Sequence, residues 1–455
     1  MNTFLHLFLG ALLCGGAAAL LTAAENSSLT GGVYCGYQGW FNAPGDGSGR
    51  GFRHYGKDGD FAPGRCSVEF WPDMSEATES EKFPTPFRFA DGRRAYVYSA
   101  RHPETVSRHF RWMREYGIRG AMLQRFLTEL RDPSGQENAD TVLANVRRAA
   151  LLHDRTWMLM YDISGNADFE LFARDWKRLI DTGVIRRDDP NYQHHAGKPL
   201  VAFWGLFAER PESPGWFERA VDLVTSDPVY GGFAVMAGVN DNWRTVPGEA
   251  GDRIRRIVSR CAVVSPWTVG RYDNETREEW MTRVIPGDMQ WCEKRGITYL
   301  PVIFPGFSWH NLHGGKFDQI PRRNGRFYRE QAETLLKFGV RQIYVAMFDE
   351  MDEGTCIFKT SSEVPVGESP FLTYGEKVPP DFYLRQTFAF SQRLKRDAGG
   401  ENGAAERTSP PVPPAQDHGP HSGIPMGQRF RDAMSFENPL EQPDAIGTPI
   451  TTRRM

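Results

Sequence analysis

Short apolar runs rich in β-branched and aromatic residues recur along the chain, and stretches with apolar positions at helical spacing lie between them. The runs at 32–37, 120–124, 156–161, 200–204, 232–236, 262–265, 298–304 and 342–347 are predicted strands. They are continuous rather than alternating, the pattern of strands covered on both faces in a parallel sheet. Amphipathic stretches at 103–116, 139–153, 169–182, 216–225, 252–260, 277–295 and 327–338 are predicted helices, and 382–396 supplies a last one. Eight strands, each leading to a helix, give the arithmetic of a single (β/α)8 TIM barrel of the α/β class. The competing doubly wound sheet lacks its fingerprint, because no G-x-G-x-x-G follows the first strand.

The flanks read differently. Residues 1–24 contain no Asp, Glu, Lys or Arg, and a Leu/Ala-rich stretch leads into Thr22-Ala23-Ala24, with small residues at −3 and −1. This pattern reads as a cleavable secretory signal. It implies a secreted or periplasmic protein of the cell envelope, with no stable membrane insertion after cleavage. A retained anchor is the alternative, since an apolar run of about 18 residues nearly spans a bilayer. The barrel is assigned to 25–396. Residues 397–455, with Gly399-Gly400 and Ser409-Pro410-Pro411, read as a disordered low-complexity tail. The Gly-rich insertion at 42–61 lacks the Lys-Ser/Thr end of a P-loop and reads as a long surface loop.

Composition narrows the function classes. A formal charge of −3, from 54 basic and 57 acidic residues, gives no global field for nucleic acid or an acidic membrane. The chain carries 46 Gly and 31 Pro together with 12 Trp, 15 Tyr and 30 Phe. This surplus belongs to loops and to aromatic surfaces. After signal cleavage Cys35, Cys66, Cys261, Cys292 and Cys356 remain, an odd and scattered set with no zinc spacing.

In such a barrel the site lies at the C-terminal ends of the strands. Candidate substrate contacts there are Gln38, Trp40, Arg125, Tyr161, Asp162, Trp204, Asn240, Trp267, Trp309, His310 and Asp349. The tryptophans, Trp243 included, offer faces on which sugar rings stack. His310 and His313 have a spacing that could join a metal site, whereas His194 and His195 fall in a polar connection and are expected to be exposed. Strand eight runs into Asp349-Glu350-Met351-Asp352-Glu353, with four carboxylates in five positions. If the segment opens helically, Glu350 and Glu353 share one phase, and like charges excluded from water raise at least one pKa. A protonated acid beside a carboxylate is what glycoside cleavage requires. The bland reading is a solvated acidic helix start.

The segment Phe348-Asp349-Glu350-Met351-Asp352-Glu353-Gly354-Thr355 resembles the Phe-Asn-Glu-Trp-x-Glu-Gly-Thr motif of glycoside hydrolase family 99, the endo-α-mannosidases. More broadly the chain is similar to bacterial family 71/99-like proteins, some of them labelled xylosidase or arabinosidase. Supporting segments are Gly36-Tyr37-Gln38-Gly39-Trp40-Phe41, Gly117 to Phe126, and Ile303-Phe304-Pro305-Gly306-Phe307. The resemblance spans roughly residues 30–395. It implies a (β/α)8 barrel, no required metal or other cofactor, and retaining hydrolysis of an α-linked polysaccharide or oligosaccharide. It also implies that Glu350 is the base acting on the sugar 2-hydroxyl and Glu353 the general acid and then base. The segment departs from the motif at Asp349, where the family has Asn, at Met351, where it has Trp, and at Asp352 in the variable slot. A carbohydrate-binding barrel without catalysis, and a divalent-metal hydrolase using Asp349, Asp352 and the histidines after strand seven, His310 and His313, are the competing functions.

Overall fold

The computed structural model describes residues 27–399, except 58, 166 and 376. The predicted signal segment, 1–24, and almost all of the predicted tail, 397–455, lie outside the described residues. A parallel sheet forms the centre, built from β1 (Val33–Tyr37), β4 (Gly120–Phe126), β5 (Thr156–Asp162), β7 (Lys198–Leu206), β8 (Ala234–Val239), β9 (Val263–Pro266), β10 (Thr298–Tyr299), β11 (Val302–Ile303) and β12 (Ile343–Val345). The strand order is β10-β9-β8-β7-β5-β4-β1-β12-β11. The two ends of that path are one run of chain. Leu300 N–H donates to Val264 at 2.9 Å on one side, and the Pro301 carbonyl accepts from Tyr344 N–H at 3.0 Å on the other. The predicted seventh strand is therefore one barrel stave split by Leu300-Pro301, where proline has no N–H to donate. With that stave counted once, the sheet is the eight-stranded barrel that the sequence pattern predicts.

Helices α1 (Pro103–Glu115), α2 (Pro133–His153), α3 (Phe169–Asp181), α4 (Glu212–Ser226), α5 (Gly248–Val258), α6 (Arg277–Glu293), the short α7 (His310–His313), α8 (Arg326–Lys337) and α9 (Phe382–Gly399) follow the strands in turn. Helix α2 begins six residues earlier than its apolar spacing predicts. Asp132 caps it by accepting from Gly135 N–H at 3.1 Å, and Pro133 sits at its first position. A hairpin of β2 (Phe83–Arg88) and β3 (Arg94–Val97) lies outside the barrel sheet, its Phe83, Thr85 and Phe87 buried and its prolines exposed. Those prolines conceal a clean two-residue alternation. A two-residue β6 (His194–His195) pairs antiparallel with β7. His195 is buried rather than exposed, and its Nε2 lies 3.0 Å from Thr298 Oγ1.

Parallel pairing fixes which side chains face the barrel axis. Phe126 lies beside Asp162, Asp162 beside Trp204, and Trp204 beside Gly238. Their neighbours Arg125, Tyr161 and Phe203 point the other way, to the helices, as a strand's two-residue period demands. Tyr161 packs edge-on against Phe172, and Phe203 against Trp216. A side chain at Gly238 would put its Cβ 2.5 Å from the Trp204 ring, so glycine there lets the indole lie across the strand.

Arg125 and Tyr161 are thus corrected from substrate contacts to strand–helix fasteners. Arg125 Nε and Nη2 each donate to Asp175 of α3 at 2.6 Å, Asp140 accepts another bond from Nη2 at 2.8 Å, and Tyr161 Oη donates to Asp175 at 2.7 Å. All five cysteines among the described residues are free and buried, so the folded domain holds together by its core. No helix of the described residues is long and apolar enough to cross a membrane.

Replacing Arg125 with Met leaves the buried Asp175 short of its main counter-charge. Denaturant unfolding should show a loss of about 3 kcal/mol, the cost of breaking a buried pair from one side; a loss below about 1 kcal/mol would contradict the fastening role.

Candidate active site

The chain leaves β12 and passes directly into the acidic turn. Residues 351–354 form a tight turn rather than a helix, so Glu350 and Glu353 are placed by a loop and not by helical phase. Nor is the segment solvated: Asp349, Glu350 and Asp352 are buried, and Glu353 is half-buried. Three sets of hydrogen bonds hold it. Asp349 accepts from the backbone N–H groups of Gln38 at 2.8 Å and Gly39 at 2.9 Å, which ties the turn to the end of β1. Glu69 N–H donates to the Met351 carbonyl at 2.9 Å, and Ser308 N–H to the Glu353 carbonyl at 3.0 Å. Arg322, stacked among Phe70, Tyr374 and Tyr383, donates to the carbonyls of Gly354 at 2.7 Å and Cys356 at 2.8 Å.

This anchoring divides the carboxyls by role. Both Asp349 oxygens are consumed by backbone amides, so Asp349 positions the turn and is not a substrate contact. Glu350 accepts from the Gln38 side-chain amide on one oxygen and from Thr355 Oγ1 at 2.6 Å on the other. The indole N–H of Trp309 favours the Glu353 anion and so opposes its rise. Burial pushes the Asp349 carboxyl up to about 6 and that of Glu353 to about 7. Burial raises Glu350 as well, reinforced by the charges of Glu353 and Asp352 and opposed by its two donors. Asp352 is raised by burial and by Glu353. Carboxyls this close in a dry site share protons, because ionising all of them sets like charges together at low dielectric.

The rest of the mouth is aromatic and polar. Gln38 reaches Glu350 directly. Asp162 faces the axis; burial lifts it to about 6 against the opposing pull of the Ser164 N–H, from which it accepts at 2.6 Å, and of the Arg210 charge. Trp204 and Trp267 lie 4.9 Å apart, both half-buried, and offer the open aromatic surface of the mouth. Asn240 is buried and receives Arg271 at 2.8 Å on its carbonyl oxygen, which leaves its amide N–H groups for other partners. Trp309 is buried and so offers no open face to a sugar. Trp243 belongs to the core, fully buried and bonded to Asp288 at 3.2 Å. His310 is held to its own loop, Nδ1 lying 2.8 Å from the Gly315 carbonyl. Among the described residues no group of three or more His, Cys, Asp or Glu is arranged to hold a metal ion.

Two features of the mouth escape sequence reasoning. His54, carried by the Gly-rich insertion, stacks on Trp40 at 4.0 Å and reaches Asp352 at 3.5 Å. The insertion is anchored by Arg50 and Arg53, both paired with Glu129. Trp40 is covered on its other side by Phe126 at 5.1 Å, so neither face is open to a sugar and its assignment as a stacking platform is corrected. Tyr344, on β12, is the second feature: it faces inward beneath Glu350, its hydroxyl 3.4 Å from the Gln124 amide.

No family model matches the chain. In sequence it is similar to the glycoprotein endo-alpha-1,2-mannosidase of Mus musculus, 20% identical over 307 residues that make up 66% of this chain and 63% of the mouse protein. The chain therefore spans about 63% of that relative's length. In fold it is similar to the GH99 endo-alpha-mannosidase of Bacteroides thetaiotaomicron. One such structure aligns with a TM-score of 0.58 at 14% identity, covering 81% of this chain and 99% of that one. A second, in complex with BIS-TRIS-Propane, aligns with a TM-score of 0.57 over 82% of this chain and all of its own. In sequence and in barrel fold the chain is thus similar to the glycoside hydrolase family 99 endo-alpha-mannosidases.

Proposed function

We propose that the chain is a glycosidase that hydrolyses an α-linked glycan with retention of configuration. One observation carries the reading: two glutamates on one turn at the C-terminal end of the last strand are both raised by burial, yet differ in their hydrogen-bond partners. Glu350 has a donor on each oxygen, which favours its anion. Glu353, half-buried and pushed up to about 7, keeps its proton near neutrality. The charge of Glu353 raises Glu350, so the pair holds a shared proton, and the two donors on Glu350 favour placing the negative charge there when Glu353 acts as the acid.

In the reaction Glu353 gives its proton to the departing glycosidic oxygen as the bond to the anomeric carbon breaks. Glu350 takes the proton of the sugar 2-hydroxyl, whose oxygen closes on the anomeric carbon from the other side. Water, deprotonated by Glu353, then opens that ring, and the proton returns from Glu350 to the 2-oxygen. Two inversions give net retention. Trp204 and Trp267 supply an aromatic wall, and Asp162 and Asn240 supply hydroxyl partners. The mouse relative's name makes an α-1,2-mannosidic linkage the first to assay, followed by α-glucans and xylan or arabinan fragments. The Leu/Ala-rich leader supports action in the cell envelope or outside the cell.

Two measurements test this reading. Glu350→Gln and Glu353→Gln should each lower turnover by about 10²–10⁴-fold, the usual contribution of a positioned acid or base. NMR of the wild-type product should show the α-anomer first; full activity in either variant, or an inverted product, would contradict the roles. The pH profile follows from the sign of the Glu353 shift. An acid must be protonated to act, so kcat/KM should fall as pH rises through about 7. A profile that stays flat to about pH 9 would remove Glu353 from the acid role.

A further inference from the structure

The residues around Trp40 contain more polar groups than the protein itself satisfies. With His54 on one face and Phe126 on the other, Trp40 presents only its edge. Among the described residues Trp40 Nε1, His54 Nε2 and Asp352 Oδ1 are buried and have no hydrogen-bond partner. The three groups are contiguous: the imidazole lies flat on the indole at an interplanar angle of 4°, and its Nδ1 is 3.5 Å from Asp352 Oδ2. The Asp352 side chain is only 4% exposed. A buried polar atom left unpaired is costly, so three in one cluster mark a place where an outside group completes the bonding.

We infer that Trp40 Nε1, His54 and Asp352 form a polar subsite beside the glutamate pair that binds adjacent hydroxyls of a neutral sugar unit. The inference rests on the glycosidase reading above and deepens it. The indole offers a donor only, the carboxyl offers an acceptor, and an imidazole nitrogen takes either role. Burial, with Arg53 nearby, pushes the imidazole down to about 3, so His54 is neutral. A vicinal diol, each hydroxyl both donor and acceptor, matches that set. An anionic sugar would face Asp352 and the glutamates, and a cationic one would face Arg53. His54 comes from the Gly-rich insertion and Asp352 from the variable slot of the acidic motif, so this subsite belongs to the parts of the chain that depart from the family pattern.

The test uses the full chain carrying Glu353→Gln to stop turnover, titrated by calorimetry with α-1,2-mannobiose, α-1,3-glucobiose and xylobiose. Into that parent go Trp40→Phe, which keeps the ring stack and deletes only the N–H, together with His54→Ala and Asp352→Asn. For whichever disaccharide the parent binds, each change should weaken affinity about tenfold, the worth of one good hydrogen bond, with the unfolding midpoint unchanged. If Asp352→Asn or His54→Ala does not fold, Trp40→Phe decides alone. Unaltered affinity in the folded variants overturns the subsite and leaves the glycosidase reading standing. No binding of any of the three sugars by the parent overturns both.

Discussion

The two hydrogen bonds that Asp349 accepts from the backbone N–H groups of Gln38 and Gly39 set the geometry of the whole acidic turn. They clasp the exit of the last strand to the exit of the first, across the seam where the barrel joins its own beginning. A carboxylate can accept both bonds; an asparagine, with one acceptor oxygen, would leave one of those amides to find another partner. The clasp carries Glu350 to the Gln38 side chain, and Thr355 closes on its other oxygen. Arg322 holds the far end of the turn through two carbonyls while three aromatic rings surround its guanidinium. Held at both ends and kept from water, the four acidic side chains cannot all ionise, and proton retention is a consequence of anchoring rather than a separate property.

The fold is legible in the sequence because burial on both faces writes itself as continuous apolar runs, and all eight predicted strands overlap a stave of the barrel. Legibility ends where polar capping or proline replaces hydrophobic spacing as the signal. The first turn of α2 rests on Asp132 and Pro133, and β2 is written through two prolines. Within the site the lost information is strand parity. Tyr161 and Asp162 are adjacent, so only one can face the axis, and the same holds for Arg125 between Gln124 and Phe126. Applied to the candidates, that rule sets Asp162 and Trp204 against Tyr161 and Arg125, and the strand register then shows which set faces the axis. No local pattern, by contrast, announces that His54 on a Gly-rich loop meets Asp352 nearly three hundred residues later. That contact exists only once the insertion is pinned by Glu129.

The surplus of aromatic and loop residues divides along the same lines. Trp243, Trp176 and Trp112 fill the core or the layer between strands and helices. Trp204 and Trp267 form the open wall of the mouth, while Trp40 and Trp309 contribute polar edges to the acidic turn. Glycine and proline serve the connections that bring these groups together, and at Gly238 the absence of a side chain makes room for the Trp204 ring.

Proton retention in the acidic turn is the central claim, and ¹³C NMR titration of the side-chain carboxyls in the folded protein measures it directly. One glutamate carboxyl resonance, absent from the Glu353→Gln variant, is expected to titrate near 7. Glutamate carboxyls that all titrate close to the ordinary value of about 4.3 would show the turn to be fully ionised at neutral pH and would contradict the claim.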